Sequence, residues 1–168
     1  MPIRKLFVLL QVTYLPRFPS DQRAQGRSLL YMIMNKEERI DYWLSVAEYD
    51  LETAEAMFST GRWLYVAFMC HQVIEKTLKA YWCATQEEEP PYVHNHKRLA
   101  AGCGLYDTMS EQQKDFLNTV TTYNIEARYP ESKDALARKL DKDACRYIID
   151  QTKALQSWIK QQLDATKQ

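Results

Sequence analysis

From Asn35 onward, apolar residues recur at spacings of three and four, the period of helices that bury one face. Asn35 with Glu38 has the form of a capping box. Ile40, Trp43, Ala47, Leu51, Ala54 and Phe58 then make the first stripe, and Gly61 offers a left-handed stop. Trp63, Ala67, Cys70, Ile74, Leu78 and Tyr81 make the second stripe. So short a break between two long helices predicts an antiparallel hairpin. Glu87-Glu88-Glu89-Pro90-Pro91 breaks the pattern, and a short helix is expected around His96–Ala101, closed by Gly102 and Gly104. Ser110 with Gln113 is a second capping box, opening a helix with Phe116, Val120, Tyr123 and Ala127 inward. That helix ends at Arg128-Tyr129-Pro130, because the residue before proline is pushed out of the helical region. A last helix runs from about Asp141 to Leu163, with Ala144, Ile148, Leu155 and Ile159 inward. The predicted fold is all-α: an up-and-down bundle of four long helices plus one short helix, each presenting one apolar stripe.

Composition agrees with this reading. The 168 residues are 46% hydrophobic and contain only four Gly and six Pro. Lys+Arg equals Asp+Glu at 22 each, so no global charge points to nucleic acid or a membrane surface. The balance is uneven, however. Residues 1–33 hold Arg4, Lys5, Arg17, Arg23 and Arg27 against Asp21 alone, which leaves the rest of the chain net acidic by four. Leu6–Val12 after two basic residues faintly suggests a signal peptide, but the apolar core is short and no small-residue cleavage site follows. Met34 directly precedes the first helical pattern. We therefore expect a domain over residues 34–168, with translation starting at Met34 and residues 1–33 an extension outside it. A targeting segment, a basic arm and an added strand are the alternatives.

The cysteines, Cys70, Cys83, Cys103 and Cys145, form no C-x-x-C pair, so zinc ribbons and thioredoxin-like motifs are excluded. They read as reduced thiols of a cytoplasmic protein. No apolar run is long enough to span a bilayer. His94-x-His96, even with Cys83 or Cys103, falls short of the four regularly spaced ligands of a structural metal site. No metal and no cofactor are expected.

The richest polar stretch lies on the second helix. Gln72, Glu75, Lys76 and Lys79 share a face at i, i+3, i+4 and i+7, with His71 beside them. One reading is a groove that holds a phosphate or nucleotide, with the lysines as point charges. The other is a solvated face carrying Gln72–Lys76 and Glu75–Lys79 pairs, worth about 0.2–0.5 kcal/mol each. Arg128 either meets a phosphate or ties a helix end to a carboxylate such as Asp50. His94 either caps the short helix or lines the groove. Trp43, Trp63, Trp82 and Trp158, with eleven Tyr, could suggest base stacking, but aromatics at helical spacing are usually core and most here follow the apolar stripes.

The stretch Ala67–Ala80, with His71-Gln72-Val73-Ile74-Glu75-Lys76-Thr77-Leu78-Lys79, resembles the most recognisable segment of the HEPN family. Ala47–Ala54 resembles its first helix, Gly61-Arg62-Trp63 its hairpin turn, His94 the His before its short helix, and Arg128-Tyr129-Pro130 its Arg-Tyr-Pro turn. The resemblance covers about residues 36–163. It implies a homodimer, often with a small nucleotidyltransferase as partner, and a ligand-binding set of His71, Gln72, Glu75, Lys76, Lys79, Arg128 and Tyr129. Several family members are metal-independent ribonucleases of toxin–antitoxin systems, which carry an Arg, four to six residues, then a His. No Arg stands at that spacing before His71, His94 or His96. The expectation is therefore an accessory protein that binds a nucleotide. The alternatives are a ribonuclease toxin using His94 and Arg128 as catalytic residues, and a purely structural dimerisation module. RNA as a ligand stays open.

Overall fold

The computed structural model describes residues 34–126 and 136–166. Its described helices belong to one compact unit, Lys36–Gln168. They are α1 (Lys36–Ser59), α2 (Trp63–Thr85), α3 (His96–Gly102), a 3-10 turn (Tyr106–Thr108), α4 (Glu111–Glu126) and α5 (Lys142–Ala165). No strand occurs among the described residues, and no described helix is long and apolar enough to cross a membrane. The extension before Met34 and the Arg128-Tyr129-Pro130 turn lie outside the described residues.

Local chemistry explains most of the boundaries. Gly61 takes φ +70°, and Arg62 N–H reaches Met57 O at 2.8 Å while Gly61 N–H reaches Phe58 O at 3.1 Å. This pairing closes the last turn of α1 and reverses the chain into α2. The capping box at Ser110 forms in both directions: Gln113 N–H donates to Ser110 Oγ at 3.2 Å, and Ser110 N–H donates to Gln113 Oε1 at 2.8 Å. Asp141 caps α5 through Ala144 N–H at 2.8 Å. Asn95, not His94, caps α3, accepting from Arg98 N–H at 2.9 Å.

The helices do not share the core equally. α2 packs against α1, α3, α4 and α5, whereas α1 meets only α2 and α5 among the principal contacts. The sequence predicts one inward stripe per helix, yet α2 is buried around most of its circumference. Val66, Val73, Thr77, Ala80, Cys83 and Ala84 are buried beside the expected Ala67, Cys70, Ile74 and Leu78. A helix apolar on nearly every side is stable only when surrounded. Burial of Ile74 or Leu78 contributes about 1.5–3 kcal/mol each. Trp43, Leu51 and Phe58 of the first stripe are only half-buried, while Ile40, Ala47 and Ala54 are fully covered. α5 clasps α1 through Glu55, which meets Lys153 at 2.6 Å and Arg146 at 3.4 Å, and through a Glu48–Lys160 pair.

The end of α3 lies hard against α2. A Cβ built on Gly102 would stand 2.4 Å from the ring of Trp82, whose Nε1–H donates to Glu88 O at 3.0 Å. The indole is held by that bond and cannot simply turn away. Gly102→Ala is therefore expected to destabilise the protein by about 1–3 kcal/mol through overpacking. Urea unfolding followed by Trp fluorescence measures this; an unchanged midpoint would show that α3 shifts freely.

Candidate functional site

Glu75 sits at the centre of α2 with a carboxylate only 2% exposed. Four basic groups surround it. Lys79 Nζ donates to Oε1 at 2.8 Å, and Lys76 Nζ stands 3.7 Å from the same oxygen. On the other side, His94 Nδ1 lies 2.8 Å and His71 Nε2 3.3 Å from Oε2. Helical spacing brings His71 and Lys79 to Glu75, one turn before it and one turn after. His94 arrives from the loop after Pro91, nineteen residues away in sequence. Lys76 also donates to Gln72 Oε1, and Lys79 rests over the Trp43 ring at 5.1 Å.

The Gln72–Lys76 and Glu75–Lys79 pairs expected of an exposed face are thus present, but the face is not solvated. Lys79 is buried along with Glu75. A charge in that setting must be paired, since losing one partner of a buried pair costs several kcal/mol. The polar cluster grades from a sealed interior to an open edge. His71 and His96 are fully buried, Lys76 is 16% exposed, and His94 is 58% exposed.

Electrostatics follow this geometry. Burial raises the Glu75 carboxyl, but His71, Lys76 and Lys79 outweigh it and hold the group well below the usual carboxylate range. Burial lowers the Lys76 ammonium, opposed by Glu75 and Asp50. Asp50 is raised by burial, with Lys76 pulling the other way. Asp50, weighed as a partner of Arg128, therefore faces Lys76 in the described structure.

His96 is absent from the site residues that the sequence suggests. It opens α3, and its ring stacks on His71 with centroids 4.2 Å apart at 30°. Burial drives its pKa well below 6.5; the neighbouring His71 adds to this, while Glu75 and the backbone of His71 and Leu117 oppose it. A sequence signal was available, since His96, Leu99, Ala100 and Cys103 fall at i, i+3, i+4 and i+7. That places His96 on the buried face of α3. Cys83 and Cys103 are buried free thiols that join no histidine cluster among the described residues. Arg128 and Tyr129 lie outside the described residues. A surface groove between α4 and α5, lined by Ser110, Gln113, Phe116, Gln151 and Leu155, holds no ionisable side chain and offers no comparable chemistry.

Both shifts give acid sensitivity the same sign. His96 is harder to protonate folded than unfolded, so its contribution is present above pH 6.5 and is lost as pH falls below that value. Glu75, with a depressed pKa, contributes above about pH 4.5 and loses that contribution under more acid conditions. Unfolding free energy should fall first below pH 6.5 and more steeply below 4.5. Urea midpoints across this range test it. In His96→Phe the first decline should vanish, and an identical pH profile in that variant would assign the decline elsewhere.

With the geometry described, the chain can be set beside known proteins. A family model described as HEPN domain matches residues 40–162. A solved structure, the crystal structure of TT1696 from Thermus thermophilus, is similar at a TM-score of 0.63 and 21% identity. The similarity covers 73% of this chain and 97% of that one, and at this identity it speaks to the fold. No curated protein gives a significant match.

Proposed function

The chain belongs to the HEPN domain family, and from that membership we propose that it is an accessory protein that binds a nucleotide phosphate and partners a small nucleotidyltransferase. The observation that carries this reading is the open edge of the Glu75 cluster. Lys76 and His94 are its most accessible basic groups, and both are held in place by contacts with Glu75. An ammonium fixed at the rim of a partly dry site is a ready point charge for phosphate. Gln72 beside it adds an amide that both donates and accepts. Arg128 and Tyr129 belong to the same proposed ligand set on the family resemblance.

The reading of a ribonuclease toxin needs His94 as a proton carrier beside Arg128. His94 Nδ1 is engaged by Glu75 at 2.8 Å, which leaves only Nε2 for that task. The family's Arg-to-His spacing is also absent. Nothing in the cluster favours cleavage over binding.

A titration of the full chain with a panel of nucleoside mono-, di- and triphosphates tests the proposal. One-site binding is expected, weakened at least tenfold, or about 1.4 kcal/mol, by Lys76→Gln with helicity retained. Absence of binding at millimolar nucleotide would reject it. If the same preparation cleaves RNA, and His94→Ala and Arg128→Ala each abolish cleavage, the toxin reading replaces it.

We also propose a homodimer. Tyr49 on α1 and Tyr65 on α2 are exposed, off the faces that build the core. Large exposed aromatics of this kind suit an interface better than bulk water. Sedimentation at tens of micromolar should give a dimer mass, and Tyr49→Glu with Tyr65→Glu should return the monomer; a monomeric wild type would count against the assembly.

A further inference from the structure

His71 makes one hydrogen bond that fixes its chemistry. Its Nδ1 lies 3.0 Å from the main-chain oxygen of Val120. A carbonyl can only accept, so Nδ1 carries the ring proton. In the neutral ring the lone pair then sits on Nε2, which faces Glu75 Oε2 at 3.3 Å. An ionised carboxylate also only accepts. Two acceptors facing each other out of water repel unless a proton on Nε2, donated to Oε2, or a metal cation lies between them.

His96 supplies a third donor atom. Its side chain is fully buried; the backbone of His71 and Leu117 comes near enough to act on the ring, but neither ring nitrogen makes a hydrogen bond of acceptable geometry. A buried polar group left this way is uncommon and calls for a partner. One ligating atom from each of His71, Glu75 and His96 falls within 4.8 Å of the other two. We propose that His71, Glu75 and His96 form a buried binding site for a divalent transition-metal cation of the zinc class.

The donor set selects the cation. Two imidazoles and one carboxylate suit Zn²⁺ and its neighbours, whereas Mg²⁺ and Ca²⁺ want a shell of oxygens. Tetrahedral zinc with bonds of about 2.0–2.2 Å puts adjacent ligand atoms roughly 3.3–3.5 Å apart. The His71–Glu75 pair already has that spacing at 3.3 Å, and a His96 ring nitrogen within 4.8 Å of both has to move closer when the cation binds. The Nδ1–H bond from His71 to a main-chain carbonyl is the outer partner that orients a ligating histidine. Lys79 takes Oε1 of Glu75, so the cation would share Oε2 with the His94 ring, whose Nδ1 stands 2.8 Å from it. His94 approaches that same oxygen from the exposed side, where a fourth position would open. The sequence did not suggest this site, because His94-x-His96 draws attention to two neighbours whose side chains go to different depths.

A proton on His71 Nε2 is the competing occupant of the same gap, and the test must separate the two. The full chain, free of nucleotide, is titrated with Zn²⁺ by calorimetry and with Co²⁺ by visible absorption. Histidine ring nitrogens are followed by NMR. The expected result is one Zn²⁺ per chain and the intense visible band of four-coordinate Co²⁺. Nε2 of His71 and one nitrogen of His96 should move to metal-bound positions, while Nδ1 of His71 keeps its proton. His96→Gln should weaken binding at least tenfold with helicity retained. The NMR readout needs no variant, so a misfolded mutant would not leave the question open. The proposal is overturned if no cation binds, if binding leaves the His71 and His96 rings unmoved, or if His71 Nε2 stays protonated in excess Zn²⁺. None of these outcomes bears on nucleotide binding at the Lys76 edge.

Discussion

A carboxylate buried in the middle of a helix organises this molecule. An isolated charge so placed would shed its ionisation or unfold its surroundings. Glu75 stays ionised because α2 brings His71 and Lys79 to it one turn away on either side, and the loop after Pro91 brings His94. Two of these partners have a second attachment. His71 is tied to the Val120 carbonyl of α4, and Lys79 lies over Trp43 of α1. The pairing therefore reaches three helices and one loop, and its geometry depends on all of them being in place.

Such an arrangement is possible because α2 occupies the centre of the bundle. Its residues from Trp63 to Cys70 are apolar without interruption, yet only Val66, Ala67 and Cys70 of them are buried. The second half lies deeper: His71, Glu75, Thr77 and Lys79 are buried there among Val73, Ile74, Leu78 and Ala80. Polar groups at this depth are acceptable only when satisfied, which accounts for the density of ionic contacts around Glu75. Burial and charge pairing are thus two consequences of one packing choice. α5, by contrast, is a conventional amphipathic helix whose ion pairs with Glu48 and Glu55 of α1 lie at the edge of the interface.

Membership of the HEPN family and the likeness to TT1696 establish the architecture, and the polar cluster gives it a chemical focus. Function must be argued from that cluster, because a fold carries many activities. Its two ends differ in kind. The inner end, with His71 and His96, is dry and poor in hydrogen-bond partners. The outer end, with Lys76 and His94, is accessible and basic. Binding of a phosphate outside and of a cation inside would use different atoms of the same group of residues.

The helices were legible in the chain because their signals are local. A capping box at Ser110, a left-handed glycine at position 61 and apolar spacing of three and four each act within a few residues. The residues grouped on one face of α2 were legible for the same reason, since helical geometry alone aligns 72, 75, 76 and 79. What the sequence left open was whether that face meets water or protein. That depends on which helix stands in the centre, a matter of how four apolar surfaces share a common volume. Tertiary packing decided it, burying the Glu75–Lys79 pair that one of the two readings had placed in solvent. It also stacked His96 on His71, far away in the chain, and sent His94, two positions earlier, to the exposed side of the Glu75 carboxylate. No local rule relates those contacts, because they arise only where α3 and its preceding loop fold back over α2.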